Sequence, residues 1–164
     1  MILMKNEKKF LVDSMLGSLA RWLRIIGYDT VYWIGEDKDL LEKASLENRI
    51  ILTKDKNLYY QAIKNNMKAI LIKSNDIISI FKQLVLEIGI NVKINFEKTR
   101  CPLCNSLLIL NKNSIRKVWD CPSCGKKYWI GKHWKEINRK INLIKEGVKN
   151  EKYEVIIRRR KNIS

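Results

Sequence analysis

Residues 10–30, FLVDSMLGSLARWLRIIGYDT, decide the fold around which the rest of the chain is arranged. A short apolar run at residues 10–12 ends on the carboxylate of Asp13, and apolar residues then recur at spacings of three and four until Gly27. Gly27 stands where a helix C-cap is expected. The pattern predicts a strand, an acid at its carboxyl end and a helix, which is where α/β sheets hold their ligands. Two interpretations of Asp13 stay open: it begins a metal-binding acidic cluster, or it only caps a helix starting at Ser14.

The same alternation continues through the first 90 residues of the chain. Further strands are predicted at residues 30–33, 49–53 and 69–72, and each is followed by an amphipathic helical pattern. Strands that alternate with helices in this way predict a parallel sheet with right-handed crossovers. The sequence therefore predicts an α/β fold for this part of the chain.

Acidic residues follow three of these strands. Asp13 and Asp55 come at or just after strand ends, and Asp37 and Asp39 open the helix after the second strand. Any one of them can be a cap or a first-turn acid that favours the positive end of the helix dipole. Three carboxylates at one sheet edge repel one another unless a cation lies among them, and Mg²⁺ or Mn²⁺ prefers such oxygen ligands. The hypothesis is an acidic metal site, in which the ion activates a water and binds a phosphate.

All four cysteines fall within 24 residues, as CPLC at 101–104 and CPSC at 121–124. Two CxxC pairs at this separation predict a closed, structural Zn²⁺ site with four thiolate ligands, whereas a redox CxxC is the alternative. The apolar residues between the pairs suggest a small β-hairpin, and hence a zinc ribbon. His133 is not needed as a ligand, and a packing or RNA-contact role is favoured for it over catalysis.

The net charge of +16 is unevenly distributed along the chain. Residues 1–99 carry 16 Lys and Arg against 12 Asp and Glu, whereas residues 100–164 carry 17 against 5. This basic block favours a polyanionic partner, most often nucleic acid. The alternative is compositional drift in a chain rich in lysine, isoleucine and asparagine. A helix is expected over residues 132–146, followed by a basic tail that is helical or disordered.

Three domains are predicted: a nuclease-like domain over residues 1–98, a zinc ribbon over 99–137 and a basic tail over 138–164. The first residues meet charge too early for a signal peptide, and the longest apolar stretch, residues 77–90, is interrupted by Lys82, Gln83 and Glu87. We therefore expect a cytoplasmic protein that does not cross a membrane.

Three stretches together resemble a known family: FLVDSMLGSLARWLRIIGYDT, EDKDLLEKA with RIILTKD, and CPLCN with CPSCGKKYWIGKHW. They look like the Mut-7 C-terminal RNase domain family, a branch of the PIN-like nucleases with a zinc ribbon attached, over roughly residues 9 to 137. The resemblance implies a PIN-like three-layer α/β/α fold with a parallel sheet, an acidic Mg²⁺ or Mn²⁺ site, and ribonuclease activity.

The positions of residues within the matching motifs indicate which residues of this chain correspond to the family's functional residues. Asp13, Asp37 and Asp55 match the family's acids and would be catalytic metal ligands, and Asp39 falls where the family usually has another acid. Asp29 is a candidate for a fourth acid. The predicted nucleic-acid contacts, from the family motif or the basic C-terminal part, are Arg21, Arg24, Lys54, Lys126, Lys127, Lys132 and His133.

The leading interpretation is a metal-dependent endoribonuclease that acts on RNA and carries a structural zinc ribbon aiding RNA binding. A non-catalytic zinc-ribbon RNA-binding protein is the second interpretation, with the acids as helix caps. A small-molecule phosphatase is a third, weakened because residues 13–15, DSM, lack the second acid of a DxD motif. The toxin of a toxin–antitoxin pair is a variant of the first. The oligomeric state stays open.

Overall fold

The computed structural model describes residues 7–161, which divide into two compact units. The first unit comprises residues 7–73 and 94–129, and the second comprises residues 74–93 and 130–161. The first unit thus combines the parallel sheet with the cysteine-containing segment. The predicted domains over residues 1–98, 99–137 and 138–164 stay a prediction.

A four-stranded parallel sheet forms the centre of the first unit. Its strands are β1 (Phe10–Asp13), β2 (Thr30–Trp33), β3 (Ile50–Thr53) and β4 (Ala69–Leu71), in the order β2-β1-β3-β4. Phe10 pairs with Thr30 on one side and with Ile50 on the other, so the three strands begin at the same level. Residues 10–12 of β1 are apolar and buried, and all four residues of β3 are buried. Burial of this kind is expected for the central strands of a parallel sheet that is covered on both faces. The predicted α/β fold with a parallel sheet is confirmed.

Three helices connect these strands: α1 (Gly17–Ile25), α2 (Asp37–Glu47) and α3 (Lys56–Lys64). Helix α1 connects β1 to β2, which lies at one edge of the sheet. Helix α2 then leads the chain back past β1 to β3, on the other side of β1 within the sheet. Right-handed crossovers then place α1 on one face and α2 and α3 on the other. The order reverses between β1 and β3, and the carboxyl ends at such a point form the usual ligand crevice.

The face of the sheet that carries α2 and α3 has a continuous apolar core. Its fully buried members come from both the strands and the helices: Leu11, Leu40, Ala44, Ile51, Leu58 and Ala62. Because side chains alternate along a strand, Phe10 and Val12 lie on the opposite face from Leu11. Both faces of β1 are therefore buried, which fixes the register that brings Asp13 to the strand's end.

The start of α1 differs from the predicted helix beginning at Ser14. Residues Ser14–Leu16 form a single 3₁₀ turn, and the α-helix begins at Gly17. The hydroxyl of Tyr32 donates to the carbonyl of Ser14 (2.7 Å), and a Cβ at Gly17 would lie 3.4 Å from that hydroxyl. The close packing of Tyr32 against this turn therefore holds the chain immediately after Asp13.

The zinc-ribbon segment of the first unit forms a three-stranded antiparallel sheet. Its strands are β5 (Ile109–Leu110), β6 (Val118–Asp120) and β7 (Lys127–Trp129), in the order β5-β6-β7. The predicted hairpin corresponds to β5 and β6, and β7 adds a third strand. Residues 91–99 contain no strand.

The second unit is built from α4 (Ile77–Ile88) and α5 (Lys132–Lys161). Asp76 caps α4 by accepting from the N–H of Ser79 (2.9 Å), and Gly89 ends it in the left-handed conformation (φ 63°). The prediction that the helix ends near residue 146 is wrong. The buried stripe of α5 continues from Ile141 through Ile144 to Val148, at helical spacing, so the helix extends through the predicted end.

Within residues 7–161, no helix combines the length and the apolar character that crossing a lipid bilayer requires.

Candidate functional site

Asp13 is the last residue of β1, and its carboxylate is held from two sides. Its Oδ2 accepts from the hydroxyl of Thr53 on the neighbouring strand (2.9 Å), and its Oδ1 accepts from the hydroxyl of Ser14 (3.2 Å). Neither oxygen accepts from a backbone N–H of the following helical turn. The interpretation of Asp13 as a helix cap is therefore wrong, and its carboxylate stays at the sheet edge.

Thr53 links two of the predicted acids. Its side chain is fully buried, and its Oγ1 accepts from the backbone N–H of Asp55 (2.9 Å) while donating to Asp13. The hydroxyl of Thr53 has one proton. Because its oxygen accepts from the N–H of Asp55, this proton is directed at the carboxylate of Asp13. Sequence analysis missed Thr53. The sequence does carry a signal for it, because Thr53 is a polar residue at the end of an otherwise apolar strand.

Asp55 is the N-cap of α3. Its Oδ1 accepts from the backbone N–H groups of Asn57 (2.7 Å) and Leu58 (3.3 Å), so the capping interpretation holds for this residue. Both bonds use the same oxygen. The cap therefore does not use Oδ2 of Asp55.

Asp37 and Asp39 lie exposed in the first turn of α2. The pKa of Asp37 is raised above its ordinary value, first by partial burial and then by the negative charges of Asp55, Asp13 and Glu36. The carboxylates of Asp13 and Asp55, which follow two other strands, thus contribute to the raised pKa of Asp37. Sequence order alone does not produce this interaction, because Asp13 and Asp55 lie 42 residues apart in the chain.

The donor set at this edge suits a hard divalent cation. Carboxylate oxygens are the ligands of Mg²⁺ and Mn²⁺, and mutual repulsion among them is relieved when a cation binds. In the described part of the chain, only the four cysteines have ligand atoms that all lie within 4.8 Å of one another. The carboxylates are more widely spaced, which is compatible with Mg²⁺ because this ion keeps several of its waters.

The candidate phosphate contacts differ in their surroundings. Arg21 is exposed on α1, and Lys54 is half-buried between Thr53 and Asp55. Lys126, Lys127, Lys132 and His133 are all exposed. Lys127 makes an ion pair with Asp120 on the neighbouring strand (2.8 Å).

Asp29, the candidate for a fourth acid, lies just before β2, at the opposite edge of the sheet from Asp13. Its Oδ1 accepts from Nη1 of Arg49 (2.8 Å) and from Nδ2 of Asn105 (2.8 Å). Burial favours the neutral acid, but these two hydrogen bonds outweigh it and lower the pKa of Asp29. Asp29 is thus committed to a structural network, and we do not retain it as a metal ligand.

The four cysteine thiols form a compact cluster. Cys101 Sγ lies 3.7 Å from Cys124 Sγ, and Cys104 Sγ lies 3.3 Å from Cys121 Sγ. A tetrahedral ion with Zn–S bonds of about 2.3 Å would separate its sulfurs by about 3.8 Å. All four cysteines are free of disulfides, and the geometry can hold one Zn²⁺.

Two of the clustered thiols have pKa values shifted in opposite directions. Hydrogen bonds from the side chain and backbone of Ser106 lower the pKa of Cys104 to about 6. The backbone of Lys126 lowers the pKa of Cys124, but burial and the three neighbouring thiols outweigh it and raise this pKa to about 11. Thiolates this close repel one another unless a cation lies among them. Burial and the nearby Cys101 raise the pKa of Tyr128, whose hydroxyl lies 3.1 Å from Cys101 Sγ.

The two cysteine turns have the same backbone form. After the second cysteine of each pair stands a residue with positive φ, Asn105 (71°) and Gly125 (73°). Glycine is the usual residue in this conformation. Asn105 has a further use, because its Oδ1 accepts from the N–H of Thr30 (2.9 Å) and its Nδ2 donates to Asp29. Sequence analysis missed this role of Asn105.

Arg24 joins the cysteine turn to α1 and β2. Its side chain is buried, its Nε donates to the carbonyl of Thr30 (2.9 Å), and its Nη1 donates to the carbonyls of Pro102 (2.8 Å) and Leu103 (3.3 Å). Burial lowers the pKa of Arg24, and the nearby Cys101 thiol acts in the opposite sense. These contacts leave Arg24 inaccessible, so the predicted RNA contact at this residue is not retained.

The ribbon is therefore anchored at the amino end of β2 and the carboxyl end of α1. The backbone N–H of Arg100 donates to the carbonyl of Arg24 (2.9 Å), and the hydroxyl of Thr99 donates to that of Ile25 (2.8 Å). These anchoring points lie at the sheet edge opposite the acids. The first unit thus holds two separate polar centres at opposite ends of its strands.

A family model described as Mut7-C RNAse domain matches residues 8–141 of this chain. The match covers all strands of both sheets, the cysteine turns and the first part of α5. Comparison with curated proteins and with solved structures finds no match.

Proposed function

This chain belongs to the Mut7-C RNAse domain family, and on that premise we propose that it is a metal-dependent ribonuclease. The observation that carries the proposal is the placement of Asp13 and Asp55 at the carboxyl edge of the parallel sheet, where the hydroxyl of Thr53 contacts both residues. The raised pKa of Asp37, to which Asp55 and Asp13 contribute, supports it. Acids that meet at this edge of a parallel sheet are typical of a catalytic site.

The proposed metal ligands are Asp13, Asp37 and Asp55. Asp39 is a second-rank catalytic candidate, because two residues along α2 turn its side chain away from that of Asp37. When bound, Mg²⁺ or Mn²⁺ supplies an activated water and charge stabilisation at the phosphate. The reaction is hydrolysis: the oxygen of water bonds to phosphorus, one ester P–O bond breaks, and the leaving oxygen takes a proton. The four cysteines would hold a structural Zn²⁺.

The chain's own residues would orient the acids and the substrate. Thr53 and Ser14 orient the carboxylate of Asp13 by donating to Oδ2 and Oδ1, and each oxygen keeps further lone-pair capacity for a ligand. Arg21 and Lys54, near the acids in sequence, would contact phosphates of the RNA. In the C-terminal part, Lys126, Lys127, Lys132 and His133 are the proposed RNA contacts.

Cleavage assays with an isosteric variant test this proposal. The full-length protein is incubated with a panel of single-stranded and structured RNAs, with and without Mn²⁺. We expect metal-dependent cleavage that Asp13→Asn reduces by at least about 100-fold, since it removes a charged ligand. Asp76→Asn is the matched control, because it makes the same charge change at a helix cap of the second unit. Cleavage that survives both Asp13→Asn and removal of divalent ions would place the active site elsewhere.

A non-catalytic RNA-binding protein is the second candidate, and the cap formed by Asp55 is the observation that favours it. In that case Asp55 serves as the cap of α3, and the other acids hold no catalytic metal. RNA binding without cleavage of any RNA in the panel, at any Mn²⁺ concentration, would support this candidate.

A further inference from the structure

The sheet of the ribbon has two chemically different faces. Residues directly opposite each other on neighbouring strands share a face, so Leu110, Trp119 and Tyr128 lie together on one side. Trp119 is 7% exposed and stacks on Phe96, with ring centroids 5.1 Å apart, and Tyr128 approaches Cys101. On this side Tyr128 contacts the cysteine site and Trp119 is buried, whereas Leu110 is 45% exposed.

The other side, which we call the outer face, consists of Ile109, Val118, Asp120, Lys127 and Trp129. Trp129 is 62% exposed and lies directly opposite Val118, and Ile109 is 58% exposed. A tryptophan so exposed on a small sheet has most of its apolar ring area in water. Such exposed aromatic groups commonly mark binding surfaces.

The surroundings of the outer face are strongly basic. Residues 112–127 contain five basic residues, all exposed, against one acidic residue, Asp120. Asp120 is itself neutralised, since it accepts from Lys127 (2.8 Å) and from Asn111 (2.9 Å). The basic residues are Lys112, Arg116, Lys117, Lys126 and Lys127. Positive charge around an exposed aromatic ring suits a polyanion that offers flat apolar groups.

We propose that the outer face binds a single-stranded segment of RNA, with an unpaired base stacked on Trp129 and phosphates contacted by the surrounding lysines. This inference rests on the proposed function, because it names the form of the substrate. An aromatic side chain can stack on a base only when the base is unpaired and splayed out, so duplex RNA does not fit. Self-association through this face is disfavoured, since two copies would bring the same positive charges together.

The anchoring of the ribbon gives this surface a distinct task. Asn105 and Arg24 attach the ribbon to the sheet edge opposite the acids, so we expect the segment bound at Trp129 to differ from the one that is cleaved. The outer face would then raise affinity for RNA without taking part in the chemistry. Loss of Trp129 should raise KM and leave kcat unchanged.

The test measures RNA binding by fluorescence anisotropy with the full-length, zinc-loaded protein and a labelled oligouridylate. No Mg²⁺ or Mn²⁺ is added, so affinity is read without cleavage. We expect Trp129→Ala to weaken binding about 5- to 150-fold while leaving the salt slope unchanged, because stacking releases no counterions. Lys126→Gln should instead reduce the salt slope by about 0.7. Trp129→Phe, which keeps a stacking ring, should retain most of the affinity.

Two controls keep this result interpretable. Tyr60→Ala removes an aromatic side chain of similar exposure (64%) from α3 and should leave affinity unchanged. Trp129→Leu keeps apolar bulk without an aromatic ring, so it decides the question if Trp129→Ala fails to retain zinc. Binding of a labelled RNA duplex should be the same in wild type and in the Trp129 variants.

Unchanged oligouridylate affinity in Trp129→Leu would overturn the inference, as would an equal loss of duplex binding. A change of oligomeric state in sedimentation, with RNA affinity unchanged, would show that the outer face is a self-association surface. The failure of the proposed function looks different: RNA binding would still depend on Trp129, but no RNA would be cleaved with Mn²⁺.

Discussion

Asp37 shows at the scale of a single residue how a candidate metal site costs stability when no cation is bound. Its folded-state pKa is raised by partial burial and by Asp55 and Asp13, so ionisation of Asp37 is less favourable in the folded than in the unfolded protein. The penalty is present above the raised pKa. It disappears as the pH falls through that value and the carboxyl group takes up a proton.

Asp37→Asn should therefore stabilise the metal-free protein at neutral pH. We expect a rise in Tm of roughly 1–2 °C, because the group is largely exposed and its interactions are screened by water. The gain should vanish when melting is repeated well below the ordinary pKa of aspartate, where wild-type Asp37 is protonated in both the folded and the unfolded protein. In the presence of Mn²⁺ the order should reverse, with wild type gaining more stability than the variant.

Asp39→Asn provides the matched comparison on the same helix. Asp39 lies two residues further along α2, which turns its side chain about 200° away from that of Asp37. Thermal melts of the two variants at several pH values make the measurement. Equal Tm shifts at neutral pH would show that the repulsion is a general surface effect and not a property of the acidic edge.

At the scale of one element, α3 depends on an acid that also belongs to the proposed active site. Asp55 caps α3 through Oδ1 alone, so an asparagine can keep the cap while removing the negative charge. We expect Asp55→Asn to leave Tm nearly unchanged and to abolish metal-dependent cleavage. Asp55→Ala should lose cleavage and also about 1 kcal/mol of unfolding free energy, measured by urea denaturation.

The cap of α4 supplies the control for this pair of variants. Asp76 accepts from the backbone N–H of Ser79 in the same manner, but it lies in the second unit. Asp76→Ala should lower stability by a similar amount and leave cleavage intact. If Asp55→Asn cleaves RNA as fast as wild type, Asp55 is only a helix cap.

At the scale of the whole described molecule, the first unit is held together by contacts between distant parts of the chain. Arg24 and Pro102 are 78 residues apart in sequence, yet the guanidinium of Arg24 donates to that carbonyl within the cysteine turn. The same side chain donates to Thr30 at the start of β2. The positive charge of Arg24 also lies near Cys101 and Cys104, where it offsets the negative charge of the thiolates. Zinc retention and sheet stability should consequently be coupled.

Arg24→Met tests this coupling. It preserves much of the apolar stem but leaves three carbonyls, one buried and two partly buried, without their donor, so we expect unfolding free energy to fall by about 3 kcal/mol. Zinc release to a chromophoric chelator should also accelerate, which a loss of packing elsewhere would not cause. Arg21→Met, on the exposed side of the same helix, should change neither quantity. Unaltered zinc release from a destabilised Arg24→Met protein would show that the ribbon holds its metal independently of α1.

The sequence was most informative where the pattern is local. The apolar run before Asp13 and the alternation of strands and helices predicted the parallel sheet, because backbone periodicity and burial on both faces act over a few residues. The spacing of the cysteines predicted the four-thiol cluster, since two CxxC turns can close on one ion. The length of α5 was underestimated, because its apolar stripe thins out among charged residues.

The sequence by itself determined the order of strands and helices, the acids after the strands and the four thiols that can hold zinc. Only the tertiary structure decided how those groups are used. Thr53 meets Asp13 because β1 and β3 are neighbours, and Arg24 turns from a predicted RNA contact into a buried anchor because the cysteine turn packs against it. Asp29 is turned away from the acids because it precedes its strand rather than following it. Such pairings depend on which strands lie side by side, and the periodicity of a single segment carries no information about its neighbours.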